Sequence, residues 1–89
     1  MTIEEIKQIV CKHYRVEENN IDTRTRKIPL VFIRQVSMML SYLYVKKVSM
    51  AFVGQNHGGR NHATVLHAIK TVNNIMDTDS TINTDIKDI

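Results

Sequence analysis

The sequence predicts an all-α protein, a compact bundle of about five or six helices. Three observations carry that expectation. Apolar residues recur at helical spacing in successive segments, capping residues stand at the starts of those segments, and no run of strict apolar–polar alternation marks a strand. The 89 residues and 43% hydrophobic content suit one domain, 1–89, with one core. Cys11 has no second cysteine to pair with, so helix packing must supply the stability that a small domain often takes from disulfides.

The first helix is announced by Thr2-Ile-Glu-Glu5, a capping box in which the Thr2 hydroxyl and the Glu5 carboxylate exchange bonds with first-turn backbone. Ile3, Ile6, Ile9, Val10 and Tyr14 then form the expected buried stripe over 3–14, leaving Glu4, Lys7 and Gln8 in water. Residues 16–21 have room for about one further helical turn, and 22–27 read as a polar, basic loop. Pro29 suits a first helical turn, and residues 30–45 are apolar on nearly every side, as expected of a central helix surrounded by others. Arg34 and Gln35 are expected to emerge at its rim, and Lys46-Lys47 to close it with a charge that complements the helix dipole. The methionines, Tyr42 and Tyr44 read as core filling.

Ser49 can cap a short helix that Gly54 ends in a left-handed conformation. Gly58 and Gly59 permit a tight turn, and Asn61 caps a longer helix whose Val65, Leu66, Ile69, Val72 and Met76 form a core stripe. Short helix, glycine turn and longer amphipathic helix over about 49–76 make the layout of a helix-turn-helix. Residues 77–89 are acidic and Thr-rich, with Ile82, Ile86 and Ile89 spaced for a last, weakly packed helix or tail.

Charge is segregated along the chain. Residues 23–76 contain no Asp or Glu and carry Arg24, Arg26, Lys27, Arg34, Lys46, Lys47, Arg60 and Lys70, while both flanking segments are net acidic and the total is +3. A basic middle between acidic ends predicts one positive face suited to phosphates. The N-terminus places acids where a secretory signal would place positive charge, and the longest apolar run, 36–45, is too short to span a bilayer. The expected setting is cytoplasmic, close to the nucleoid, with no membrane partner.

At Gly58-Gly-Arg-Asn-His-Ala-Thr-Val-Leu-His-Ala68 the sequence resembles the C-terminal DNA-binding domain of the bacterial replication initiator DnaA, whose signature reads Gly-Gly-Arg-Asp-His-Thr-Thr-Val-Leu-His-Ala. Nine of the eleven positions match, and the likeness extends back through the Arg34-Gln35 pair and the basic loop before it. The resemblance implies the Trp repressor-like helical fold of that domain and binding of double-stranded DNA at DnaA-box-like sites. It further implies that Asn61, His62, Ala63 and Thr64 face base edges in the major groove and that Arg26 enters the adjacent minor groove. Phosphate contacts are implied for Arg34, Gln35, Arg60 and His67, and charge adds Arg24, Lys27 and Lys46. Asn61 stands where the family has Asp, Ala63 where it has Thr, and Ala51 where it usually has Pro. A carboxylate accepts from cytosine N4 whereas an amide can pair bidentately with adenine N6 and N7, so the base read should change.

Elementary chemistry supports these roles, because a helix N-terminus aims free N–H groups and a positive dipole at flanking phosphates, and arginine favours the negative potential of a narrow minor groove. Other functions fit poorly. His62 and His67 lie about 140° apart on a helix and cannot share a metal as an i, i+4 pair would, and Cys11 and His13 point to different sides of theirs. The glycine spacing of Gly54 to Asn61 is that of a phosphate-binding loop, but Arg-Asn replaces Lys-Ser/Thr and no strand precedes it, so no nucleotide or other cofactor is expected. A stretch without carboxylates offers no acidic metal cluster for hydrolysis, so no enzyme is expected either. The alternative is a protein-interaction adaptor or inhibitor on the same fold, binding DNA weakly and nonspecifically and using residues 50–53 as an apolar contact surface. As a DNA reader the chain would act in replication initiation or transcription, and could compete with a host DnaA for sites.

Overall fold

A computed structural model describes residues 1–24 and 27–89, apart from the Ile28 side chain, and four of its helices begin at a residue whose side chain caps them. In α1 (Ile3–Tyr14) the Thr2 hydroxyl accepts from the Glu5 N–H at 3.2 Å, and the Glu5 carboxylate accepts from the Thr2 N–H at 3.1 Å. The helix ends at Arg15 in the left-handed region, φ 59°. Helix α2 (Glu18–Asp22) is little more than one turn and buries Ile21. Pro29 lies in the first turn of α3 (Ile28–Tyr44), where its missing N–H costs nothing. The Ser49 hydroxyl accepts from the Phe52 N–H to start α4 (Met50–Gln55), and Asn61 and Asp79 do the same for α5 (His62–Thr78) and α6 (Ser80–Lys87).

Helix α3 is the centre of the all-α bundle, packed against α1, α2, α4 and α5, while α5 also carries α4 and α6. The whole fits within 30 × 25 × 25 Å. One core cluster joins Ile6, Val10 and Cys11 of α1 to Ile21, Ile33, Val36, Met39, Val72 and Ile86. A second joins Ile3 and Met38 to Val53, Val65 and Ala68, and so seats both helices of the helix-turn-helix on α3. Each such fully buried Val or Ile contributes roughly 1.5–3 kcal/mol by leaving water. Burial also pushes the Cys11 thiol up to about 11, which keeps it a protonated, apolar-like packing group.

The stripe on α1 differs from the expected one at two positions. Lys7 is only 5% exposed and Ile9 is 40% exposed, the reverse of the sequence expectation. Helical geometry explains both: Lys7 lies in the every-fourth-residue row of Ile3 and Cys11, whereas Ile9 stands about 100° round the cylinder from Val10. The Lys7 stem runs through the core edge and its ammonium meets Asp22 Oδ2 at 2.7 Å and the Asn56 carbonyl at 2.8 Å.

Three further expectations are corrected. Helix α3 is central only along its first part, since Tyr42, Leu43 and Tyr44 are exposed at its end; the two tyrosines are not core filling, whereas Met38 and Met39 are. The helix stops at Tyr44, so Lys46 and Lys47 stand in the turn beyond it, with Lys47 at φ 59°. Gly54 does not end α4 in a left-handed conformation; it is helical and buried, because a Cβ there would overlap the Arg60 carbonyl. The left-handed glycines are Gly58 (φ 78°) and Gly59 (φ 72°).

Lys7→Met keeps the buried stem but leaves the Asn56 carbonyl and half-exposed Asp22 without their donor. It is expected to cost about 1–3 kcal/mol in urea denaturation, against less than about 0.5 kcal/mol for Gln8→Ala on the exposed face.

Candidate nucleic-acid interface

The connection between α4 and α5 is built from inside the protein outward. His57, in the turn, is completely buried. Its Nδ1–H donates to the Val53 carbonyl at 2.8 Å, which leaves Nε2 to accept from the Ser37 hydroxyl of α3 at 2.7 Å. Both ring nitrogens are thus satisfied in the neutral form, and burial lowers the His57 pKa from 6.5 to about 4. Beside it the Asn56 carbonyl is held by Lys7, and the Arg60 N–H closes the turn on the Gly54 carbonyl at 2.8 Å. At Gly58 a Cβ would overlap both the Asp22 carbonyl and the Arg60 guanidinium, so glycine is required there by close approach as well as by its positive φ.

The same turn reaches the basic loop. Arg60 donates through Nη2 to the Thr23 carbonyl at 2.8 Å and through Nη1 to the carbonyls of His57 and, at 3.4 Å, Asp22. Arg34 Nη1 donates to the same Thr23 carbonyl at 3.3 Å. Arg34 therefore does not emerge at a rim: it is 8% exposed, while Gln35 beside it is half-buried. Burial first, and then the neighbouring Arg60 charge, lowers the Arg34 pKa; burial likewise lowers that of Arg60, and the Asp22 carboxylate opposes both shifts.

Onto this frame the start of α5 is fixed with its first turn outward. Asn61, His62, Ala63 and Thr64 are all exposed, and the Asn61 Oδ1 accepts from the Thr64 N–H at 3.0 Å and from the Thr64 hydroxyl at 3.1 Å. Arg24 is exposed one residue beyond the carbonyl that Arg60 grips, and Lys27 is exposed before α3. His67 is exposed on the second turn of α5, and Lys46 in the turn between α3 and α4. Arg26, expected in a minor groove, lies outside the described residues. The apolar surface expected of residues 50–53 is smaller than the sequence suggests: Val53 is fully buried and Met50 half-buried, leaving Ala51 and Phe52 outward.

Lys7, Ser37, His57 and Asp22, which hold the turn, escaped sequence reading as functional supports. The one available signal was Lys7 sharing a helical row with Ile3 and Cys11. Ser37 and His57 lie twenty positions apart in the chain, and nothing local joins them.

A family model described as the bacterial dnaA protein helix-turn-helix matches residues 3–72. The chromosomal replication initiator protein DnaA of Bacteroides thetaiotaomicron is 37% identical over all 89 residues, and that of Bacteroides fragilis 38% identical over the same span. The corresponding protein of Bdellovibrio bacteriovorus is 34% identical, again over the whole chain. The chain spans about a fifth of the length of these relatives, covering 18–19% of each.

The buried neutral His57 makes stability depend on acid. Its folded pKa of about 4 lies below the unfolded value near 6.5, so the unfolded chain binds the extra proton. Its contribution is complete above pH 6.5 and is lost as pH falls toward 4, up to about 3 kcal/mol. Denaturant unfolding between pH 7 and 4 should show this loss, and His57→Gln, less stable at pH 7, should flatten the slope in that window.

Proposed function

The chain belongs to the bacterial dnaA protein helix-turn-helix family, and from that premise we propose that it binds double-stranded DNA sequence-specifically at DnaA-box-like sites. In this reading α5 enters the major groove N-terminus first. The observation that carries it is the exposed first turn of α5, Asn61 to Thr64, held rigidly by a turn whose polar groups are bonded underneath to α1 and α3. A recognition helix needs that combination, because side chains aimed at base edges discriminate only if the backbone behind them does not yield.

Asn61, His62, Ala63 and Thr64 are proposed to face bases, Ala63 through a methyl that can touch thymine. Arg26 is proposed to enter the minor groove beside them. Arg24, Lys27, Gln35, Lys46, Arg60 and His67 are proposed to meet phosphates, with the dipole of α5 adding its positive end. Arg34, being buried, acts in this proposal through the Thr23 carbonyl and so sets the position of the loop rather than gripping phosphate from a rim. Binding alone accounts for such a site, with no catalytic group, nucleotide or other cofactor taking part. A domain of this kind would regulate replication initiation or transcription in the cytoplasm, at the nucleoid, and would compete with a host DnaA for shared sites. Among the described residues no helix is long and apolar enough to cross a membrane.

Selection from a random duplex library near physiological salt is expected to enrich a motif related to the DnaA box. On the selected duplex, Arg24→Ala and Lys27→Ala should each weaken binding and reduce the slope of log K against log salt by about 0.9 where one phosphate contact is lost. Unchanged slopes would remove those residues from the interface, and a library without enrichment would favour the adaptor alternative.

A further inference from the structure

The Asn61 side chain has two jobs that compete for the same atoms. As N-cap it uses Oδ1 to accept from both the Thr64 N–H and the Thr64 hydroxyl. A backbone N–H can only donate, so the atom facing it must be the oxygen, and two donors occupy both of its lone pairs. What the capped amide turns outward is Nδ2, which has two N–H donors and no acceptor. Thr64, having given its proton to Oδ1, is left to accept.

An Asp at this position would cap equally well but would turn a second carboxylate oxygen outward, an acceptor. The Asn therefore reverses hydrogen-bond polarity at one point of the reading helix while leaving the cap intact. In the major groove, N7 of either purine, O6 of guanine and O4 of thymine accept, whereas cytosine presents only its N4 donor. We propose that Asn61 is a donor-only base reader that selects a base presenting an acceptor, N7 of a purine or O4 of thymine, and rejects cytosine. The proposal rests on the reading above that α5 enters the major groove. It departs from the bidentate pairing with adenine that the residue type alone suggests, because that pairing needs the oxygen that the cap already holds.

The test compares the wild-type chain with Asn61→Asp, which keeps the cap, so equal melting temperatures are expected. Selections with each protein should differ at one base pair, a purine or thymine for Asn61 and cytosine for Asp. With Asn61, adenine and guanine should bind within about threefold of each other and cytosine about tenfold more weakly, the scale of one hydrogen bond. On a duplex with a purine at that pair, its 7-deaza analogue should cost the wild type about tenfold and leave Asn61→Asp unchanged. A preference for adenine alone, lost when the N6 amine is removed but N7 retained, would overturn the proposal in favour of an uncapped, bidentate Asn61. Identical motifs from the two proteins would also overturn it while leaving the major-groove reading in place. If neither protein enriches any sequence, that underlying reading fails as well.

Discussion

The hydrogen bond between Ser37 and His57 is the constraint on which the site depends. It ties the turn of the helix-turn-helix to the middle of the central helix, in a place where neither partner has water to fall back on. Leaving either group unpaired there would cost more than the bond itself contributes, so the pair enforces one geometry rather than merely favouring it. The Val53 carbonyl fixes the ring from its other side, and Val53 itself anchors α4 in the second core cluster. Helix α5, seated on α3 by Val65 and Ala68, thus has the turn before it tied to the same core through one imidazole.

Around that point the cations of the acid-free stretch divide into two groups. Buried Arg34 and half-buried Arg60 share the Thr23 carbonyl, while Arg24 and Lys27 on either side of it are exposed. Asp22, at the edge of the acid-free segment, supplies the negative charge that makes this tolerable, since it bonds Lys7 and lies close enough to both arginines to oppose their desolvation. Two neighbouring, partly desolvated guanidiniums without such a counter-charge would repel each other and destabilise the loop base. The sequence pattern that suggested a phosphate-binding face therefore has a second role, which is to lock the face to the fold.

The helices were legible because their signals are local. Thr2-Glu5, Pro29, Ser49 and Asn61 each fix a helix start by chemistry within four residues, and all four stand where the structure begins a helix. The exposed first turn of α5 was legible for the same reason. What could not be read was anything set by distant partners. Lys7 looked like a solvated charge because Asn56, which receives it, is 49 positions away, and Arg34 looked like a rim residue because the carbonyl it meets, that of Thr23, lies 11 positions back in another segment. Gly54 looked like a helix stop because its real requirement, contact with the Arg60 backbone, depends on how the turn folds back.

That difference has a physical consequence for how specificity can change. The residues that hold the turn are bonded in pairs and, apart from half-exposed Asp22, buried, so altering one leaves its partner unsatisfied. The outward atoms of the first turn of α5 carry no such obligation. Asn61 meets its structural duty with a single oxygen, and the other half of its amide can be exchanged without touching the fold. In the proposed reading, position 61 can therefore switch between accepting and donating at the groove while Ser37, His57, Lys7 and Arg60 stay fixed, so base preference can diverge faster in such a domain than the architecture that presents it.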